Sequence, residues 1–153
     1  MVKYLNYALT FAEVPDEINL CFNITNCQQN CTGCHTPILQ QDVGQDLNKD
    51  LQKIINQHKD QFTCVCFLGE GNDKVQLQRL IDYIKNLNYK VCVYSGRDDA
   101  TIEDYKNLDY YKIGSYNIEK GPLTAKTTNQ KMYKKMSDST WVDITFLFWP
   151  IPM

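Results

Sequence analysis

Three cysteines fall within eight positions, Cys27-Gln28-Gln29-Asn30-Cys31-Thr32-Gly33-Cys34, and His35 follows at once. Thiolates are both metal ligands and nucleophiles, so so dense a group is where chemistry is to be sought. Three chemistries use such a pattern. Cys31-Thr32-Gly33-Cys34-His35 has the C-x-x-C-H form of c-type haem attachment. That reading leaves Cys27 without a role and requires export. Cys31 and Cys34 also make a C-x-x-C, which serves dithiol exchange or, with His35 as a further ligand, zinc. A thioredoxin-like pair opens a helix directly after a strand, whereas Pro37 and a long polar stretch follow here. The third reading is an iron–sulfur cluster. Such clusters usually take four thiolates, and three on one short loop hold three irons of a cubane, leaving the fourth open for a ligand.

The other four cysteines, Cys21, Cys64, Cys66 and Cys92, sit in apolar runs and read as buried packing. Seven is an odd count, so no disulfide framework can pair them all. A chain of 153 residues can also bury a core without staples. Clustered thiols then point to metal or redox chemistry in the reducing cytosol. With 43% hydrophobic and 22% charged residues the composition is that of an ordinary globular domain. Sixteen basic against 18 acidic residues give a net charge of −2, so no nucleic-acid partner is expected. Mean hydropathy is −0.44, and no uncharged apolar run approaches the ~18 residues of a membrane helix. The weakly apolar stretch 5–12 is diluted by Asn6, Tyr7 and Thr10 and lacks the form of an export signal. A cytoplasmic protein without membrane partners is the expectation.

The elements that would position the cysteine loop follow from periodicity. Residues 18–24 (INLCFNI) predict a strand that ends at Thr25-Asn26, just before the loop. Residues 46–58 place Leu47, Leu51, Ile54 and Ile55 at helical spacing, and residues 73–88 repeat it with Val75, Leu77, Leu80, Ile81 and Ile84. Residues 62–68, 90–94 and 110–113 predict further strands, and 100–108 a short helix. Residues 141–148 (WVDITFLF) predict a late strand, and residues 4–10 another, both at sheet edges. Strands alternating with helices imply βαβ units and a mostly parallel sheet with flanking helices in one domain. In such sheets chemistry gathers at the carboxyl ends of the strands. The cysteine loop, Gly69-Glu70-Gly71 and Ser95-Gly96 all follow strands.

The C-x3-C-x2-C loop directly after a first strand resembles the radical S-adenosylmethionine (SAM) family. Within it the chain resembles the activating proteins of the anaerobic ribonucleoside-triphosphate reductase. Residues Phe67-Leu68-Gly69-Glu70-Gly71, Tyr94-Ser95-Gly96, Gly121-Pro122-Leu123, Thr128-Asn129-Gln130 and Trp141-Val142-Asp143-Ile144-Thr145 also match, so the resemblance spans about 18–149. It implies an incomplete (β/α) barrel, with residues 1–153 as a single shortened radical SAM domain. Cys27, Cys31 and Cys34 would ligate a 4Fe-4S cluster, with Gly33 and His35 flanking the last ligand where backbone touches SAM. The Gly69-Glu70 turn would meet the SAM amino group, with Leu68 standing where the family's motif has a first glycine. Ser95 or Asp98 would meet the ribose. The implied reaction is cleavage of SAM by the reduced cluster to methionine and a 5′-deoxyadenosyl radical. That radical takes hydrogen from a glycine of the reductase large subunit, and reduced flavodoxin or ferredoxin supplies the electron. Related readings are an activase of another glycyl-radical enzyme and a radical SAM enzyme with a small-molecule substrate. A zinc-binding or thiol-redox module is the reading from another class. Lys120, Lys126, Lys131, Lys134 and Lys135 form a locally basic stretch, either a solvated face or a docking site for an acidic partner.

Overall fold

The computed structural model describes residues 1–28 and 36–150. In chain order it contains β1 (Lys3–Thr10), β2 (Asn19–Ile24), β3 (Gln45–Asp46), α1 (Leu47–Gln57), β4 (Cys64–Leu68), α2 (Lys74–Asn86), β5 (Lys90–Tyr94), β6 (Tyr110–Ile113), β7 (Lys131–Lys135) and β8 (Trp141–Asp143). Short 3-10 turns occupy Pro37–Gln40 and Thr145–Phe148.

Both helices start where a carboxylate satisfies orphan backbone donors. Asp46 accepts from the Asn48 N–H at 3.0 Å, and Asp73 from the Gln76 N–H at 3.0 Å. Each buries one stripe: Leu47, Leu51, Ile54 and Ile55 in α1, and Leu77, Leu80, Ile81 and Ile84 in α2. Burying each such side chain stabilises by about 1.5–3 kcal/mol. After α2 the chain turns at Asn88, φ +67°, a left-handed conformation that asparagine tolerates better than most residues.

The eight strands form one sheet in the order β3-β1-β2-β4-β5-β6-β7-β8. The pairs β2–β4, β4–β5 and β5–β6 are parallel, while β1–β2, β1–β3, β6–β7 and β7–β8 are antiparallel. A mostly parallel sheet is therefore found only among the four central strands, and antiparallel pairings outnumber parallel ones. Parallel neighbours need crossovers, which α1 and α2 provide for the first two. The outer strands return antiparallel to their neighbours and need none.

Two expected elements differ. Residues 100–108 form turns, not a helix. Asp104 accepts from the Thr101 N–H at 3.0 Å and from Arg97, a local alternative to the helical ladder. The late strand stops at Asp143, whose Oδ1 accepts from the Thr145 N–H at 2.9 Å and turns the chain into the 3-10 segment. β7 lies in the stretch read only as basic, and β3 completes the edge beyond β1.

Alternation along the central strands divides the core in two. Leu20, Phe22, Ile24, Val65, Phe67, Val91 and Val93 pack with α1 and α2. Cys21, Cys64, Cys66, Cys92 and Tyr110 pack on the opposite face with Val14, Leu123 and Met132. Among the described residues no helix is long and apolar enough to cross a membrane.

Candidate functional site

The parallel register stacks the helix-free face in rows. Cys21, Cys66, Cys92 and Tyr110 stand side by side on β2, β4, β5 and β6. One step toward the carboxyl ends, Asn23, Leu68, Tyr94 and Lys112 form the next row. All four of this upper row line a cleft of about 570 Å³. That volume lies within the usual range for small-molecule sites, and apolar walls with few polar groups are their usual character.

The described ends of the cysteine segment reach this cleft. Cys27 and Thr36, on either side of it, both line the cleft. Its root is held by main-chain bonds: the Cys27 N–H donates to Leu39 O at 2.9 Å and the Asn26 N–H to Gln41 O at 3.2 Å. Asn26, φ +61°, makes the bend after β2, and its side chain donates to Asp42 at 3.1 Å. Cys31, Gly33, Cys34 and His35 lie outside the described residues. Among the described residues no three His, Cys, Asp or Glu side chains form a metal-holding group. Cys27 is a half-buried thiol on the wall of the cleft.

The other expected site residues divide. Gly69 lines the cleft with φ +124°, a conformation open essentially to glycine. A Cβ there would stand 3.4 Å from Ile24 O, ordinary contact, so conformation rather than space demands the glycine. Glu70 does not line the cleft. Its Oε2 accepts from Ser95 Oγ at 2.9 Å and Arg97 Nε at 2.9 Å. Its Oε1 accepts from Tyr105 OH at 2.8 Å, Arg97 Nη2 at 3.1 Å and Tyr111 OH at 3.3 Å. Burial opposes its ionisation, but Arg97, Tyr105 and Ser95 outweigh burial and hold the carboxyl below its usual range. Ser95 is buried behind the wall on Glu70, and its neighbour Gly96 takes the place on the cleft. Asp98 is exposed and accepts from Ser115 N at 2.9 Å and Oγ at 2.8 Å.

Lys112 is the cleft residue the sequence reading missed. It is buried, and its ammonium donates to Ser95 O at 3.1 Å and Gly114 O at 3.0 Å, 5.5 Å from the centre of the Tyr94 ring. Its signal was the alternation Tyr110-Tyr111-Lys112, which puts it on one face with Tyr110. Glu13 and Phe148 also reach the cleft from segments that carry no motif. Pro122, Leu123 and Gln130, from two of the matching segments, complete its wall.

The thiols beneath the floor are poor nucleophiles. Burial pushes the Cys64, Cys66 and Cys92 thiols up, and the hydrogen bond with Cys66 followed by burial does so for Cys21. The lysines of β7 do not share a face. Lys134 lies 5.9 Å from the Tyr110 ring centre, whereas Lys131, one step out of phase, stands 3.9 Å from Asp143. In comparisons with known proteins the chain matches no family model, no curated protein and no solved structure.

Proposed function

We propose that this chain is a shortened radical SAM enzyme that activates an anaerobic ribonucleoside-triphosphate reductase by generating its glycyl radical. One observation carries the reading. Cys27, Gly69, Tyr94, Gly96, Leu123 and Gln130 come from five segments that resemble the family, and they line a single cleft at the carboxyl ends of parallel strands. In this reading Cys27, Cys31 and Cys34 hold a 4Fe-4S cluster and the cleft holds SAM. Together, when reduced, cluster and SAM supply a radical able to take hydrogen from an unactivated carbon.

The chain's own residues bind, orient and exclude water. Gly69 and Gly96 let main chain approach a ligand closely. The Lys112 ammonium on an otherwise mainly apolar wall suits the carboxylate of a methionyl group. Leu68, Leu123 and Phe148 keep water from the reacting centre. Exposed Phe11, Ile38, Ile118, Phe146 and Leu147 each lie within two residues of a cleft-lining residue. In this reading the reductase large subunit covers the mouth of the cleft, and these exposed apolar side chains are the candidates for its contact surface. Reduced flavodoxin or ferredoxin is the proposed electron source.

The test is anaerobic reconstitution with iron and sulfide, then a SAM-cleavage assay with a chemical reductant. The parent should turn brown, bind about four irons per chain, as a cubane requires, and release methionine. Cys27→Ala, Cys31→Ala and Cys34→Ala should lose cluster and cleavage, while Cys66→Ala should keep both and lose only stability. A colourless protein that retains zinc, or full cleavage in Cys31→Ala, refutes the reading.

A further inference from the structure

The resemblance sets Glu70 against the amino group of SAM, yet the Glu70 carboxylate has no free site to offer. Five bonds reach it, from Ser95, twice from Arg97, and from Tyr105 and Tyr111. A carboxylate has about four lone-pair sites. Arg97 is equally committed: its fork spans both Glu70 oxygens, and Nη2 also donates to Asp104 at 2.7 Å. The pair is shielded, with side chains 9% and 19% exposed, so solvent does little to weaken it. The two sides of this pair also match in sequence. Gly69 precedes Glu70 and Gly96 precedes Arg97, and both glycines line the cleft while the residues after them meet behind it.

We propose that Glu70 and Arg97 are a positioning pair: their ion pair locks the turns 69–71 and 95–97 together behind the cleft, so that the Gly69 and Gly96 main chains stand at a set separation for the ligand, which Glu70 does not touch. The identity of the ligand as SAM rests on the function proposed above; the lock between the turns does not.

Three variants of the full chain decide it: Glu70→Gln, Arg97→Met and the double. Amide hydrogen exchange on the protein as purified reads the turns, and equilibrium dialysis with SAM after reconstitution reads the cleft. Each single variant should speed exchange in both 69–71 and 95–97 and leave 91–93 within β5 protected, which general destabilisation would not do. Each should weaken SAM binding about tenfold, and the double no more than the worse single, as for residues acting through one contact. Arg97→Lys, which keeps the charge without the fork, should recover part of the protection, and it replaces Arg97→Met if that variant does not fold. Faster exchange in one turn alone overturns the lock. Weaker SAM binding in Glu70→Gln with unchanged or tighter binding in Arg97→Met overturns the positioning role and restores direct contact. Unchanged SAM binding in both singles overturns it as well. A parent that binds no SAM refutes the proposed function, and the exchange result then stands alone for or against the lock.

Discussion

Gly69→Ala isolates one backbone angle on the cleft wall. At φ +124° an L-residue sits in a region reserved essentially for glycine, which costs about 1–3 kcal/mol. Sterics add nothing further: the new methyl would stand 3.4 Å from Ile24 O and 3.5 Å from Ile24 Cβ, both ordinary contacts. For a chain of this length each kcal/mol lowers Tm by roughly 2–4 °C, so the expected fall is about 2–12 °C. If the turn relaxes instead, the strain is relieved by moving the Gly69 main chain, and SAM affinity falls while Tm recovers. The two readouts therefore trade against each other, and at least one must change. Thermal unfolding followed by circular dichroism gives the first, and equilibrium dialysis with SAM on reconstituted protein the second. Iron content should stay at the parent's value, because Cys27 roots its loop on Leu39 and Asn26 on Gln41, not on this turn. Gly69→Val repeats the test with a branched side chain beside Ile24 and should be the more severe. An alanine variant with the parent's Tm and the parent's SAM affinity would show that the turn carries no conformational demand.

Two further outcomes concern buried charges. Buried Glu17 accepts from Thr63 at 2.7 Å, Tyr110 at 2.8 Å and Lys90 at 2.9 Å; burial raises its carboxyl pKa, but Lys90, Thr63 and Tyr110 together bring it below the usual 4.5. A depressed pKa contributes stability above the unfolded value that is lost as pH falls through the folded one. Glu17→Gln should therefore cost about 1–3 kcal/mol at pH 7, with the gap to the parent closing below about pH 4; urea midpoints that differ equally at both pH values contradict the ionised assignment. Lys112→Met should destabilise by about 1–3 kcal/mol, since Ser95 O and Gly114 O lose a charged donor. It should also weaken SAM more than 5′-methylthioadenosine, which lacks the carboxylate, and equal losses for both would show that Lys112 serves the backbone alone.

Much of the scaffold was legible because one periodicity dominated each segment. The stripes Leu47–Leu51–Ile54–Ile55 and Leu77–Leu80–Ile81–Ile84 read as helices, and the runs of β4 and β5, β-rich and too short for a helix, read as buried strands. Residues 100–108 misled because Tyr105 and Leu108 are buried at a spacing compatible with a helix, while Asp104 serves Arg97 and Thr101 across the turn. β7 was hidden by its four polar or aromatic residues around Met132, since Met132 is the one aliphatic side chain in it that marks a buried face.

The candidate site shows the same division. Type and spacing alone singled out Cys27, Cys31 and Cys34 as candidate ligands, because the clustering of thiols is a property of one short segment. They also marked Gly69, whose φ of +124° glycine adopts far more readily than any other residue type. The orientation of Glu70 was not legible, because it depends on Arg97, Tyr105 and Tyr111, which lie 27, 35 and 41 residues away. Lys112 was not legible either: only the β4–β5–β6 register sets it beside Leu68 and Tyr94 on the floor of the cleft. Local chemistry and local periodicity are properties of a segment and can be read from it. Which segments meet, and which way a charged side chain turns when they do, follows from strand register and buried pairing, which exist only once the sheet has formed.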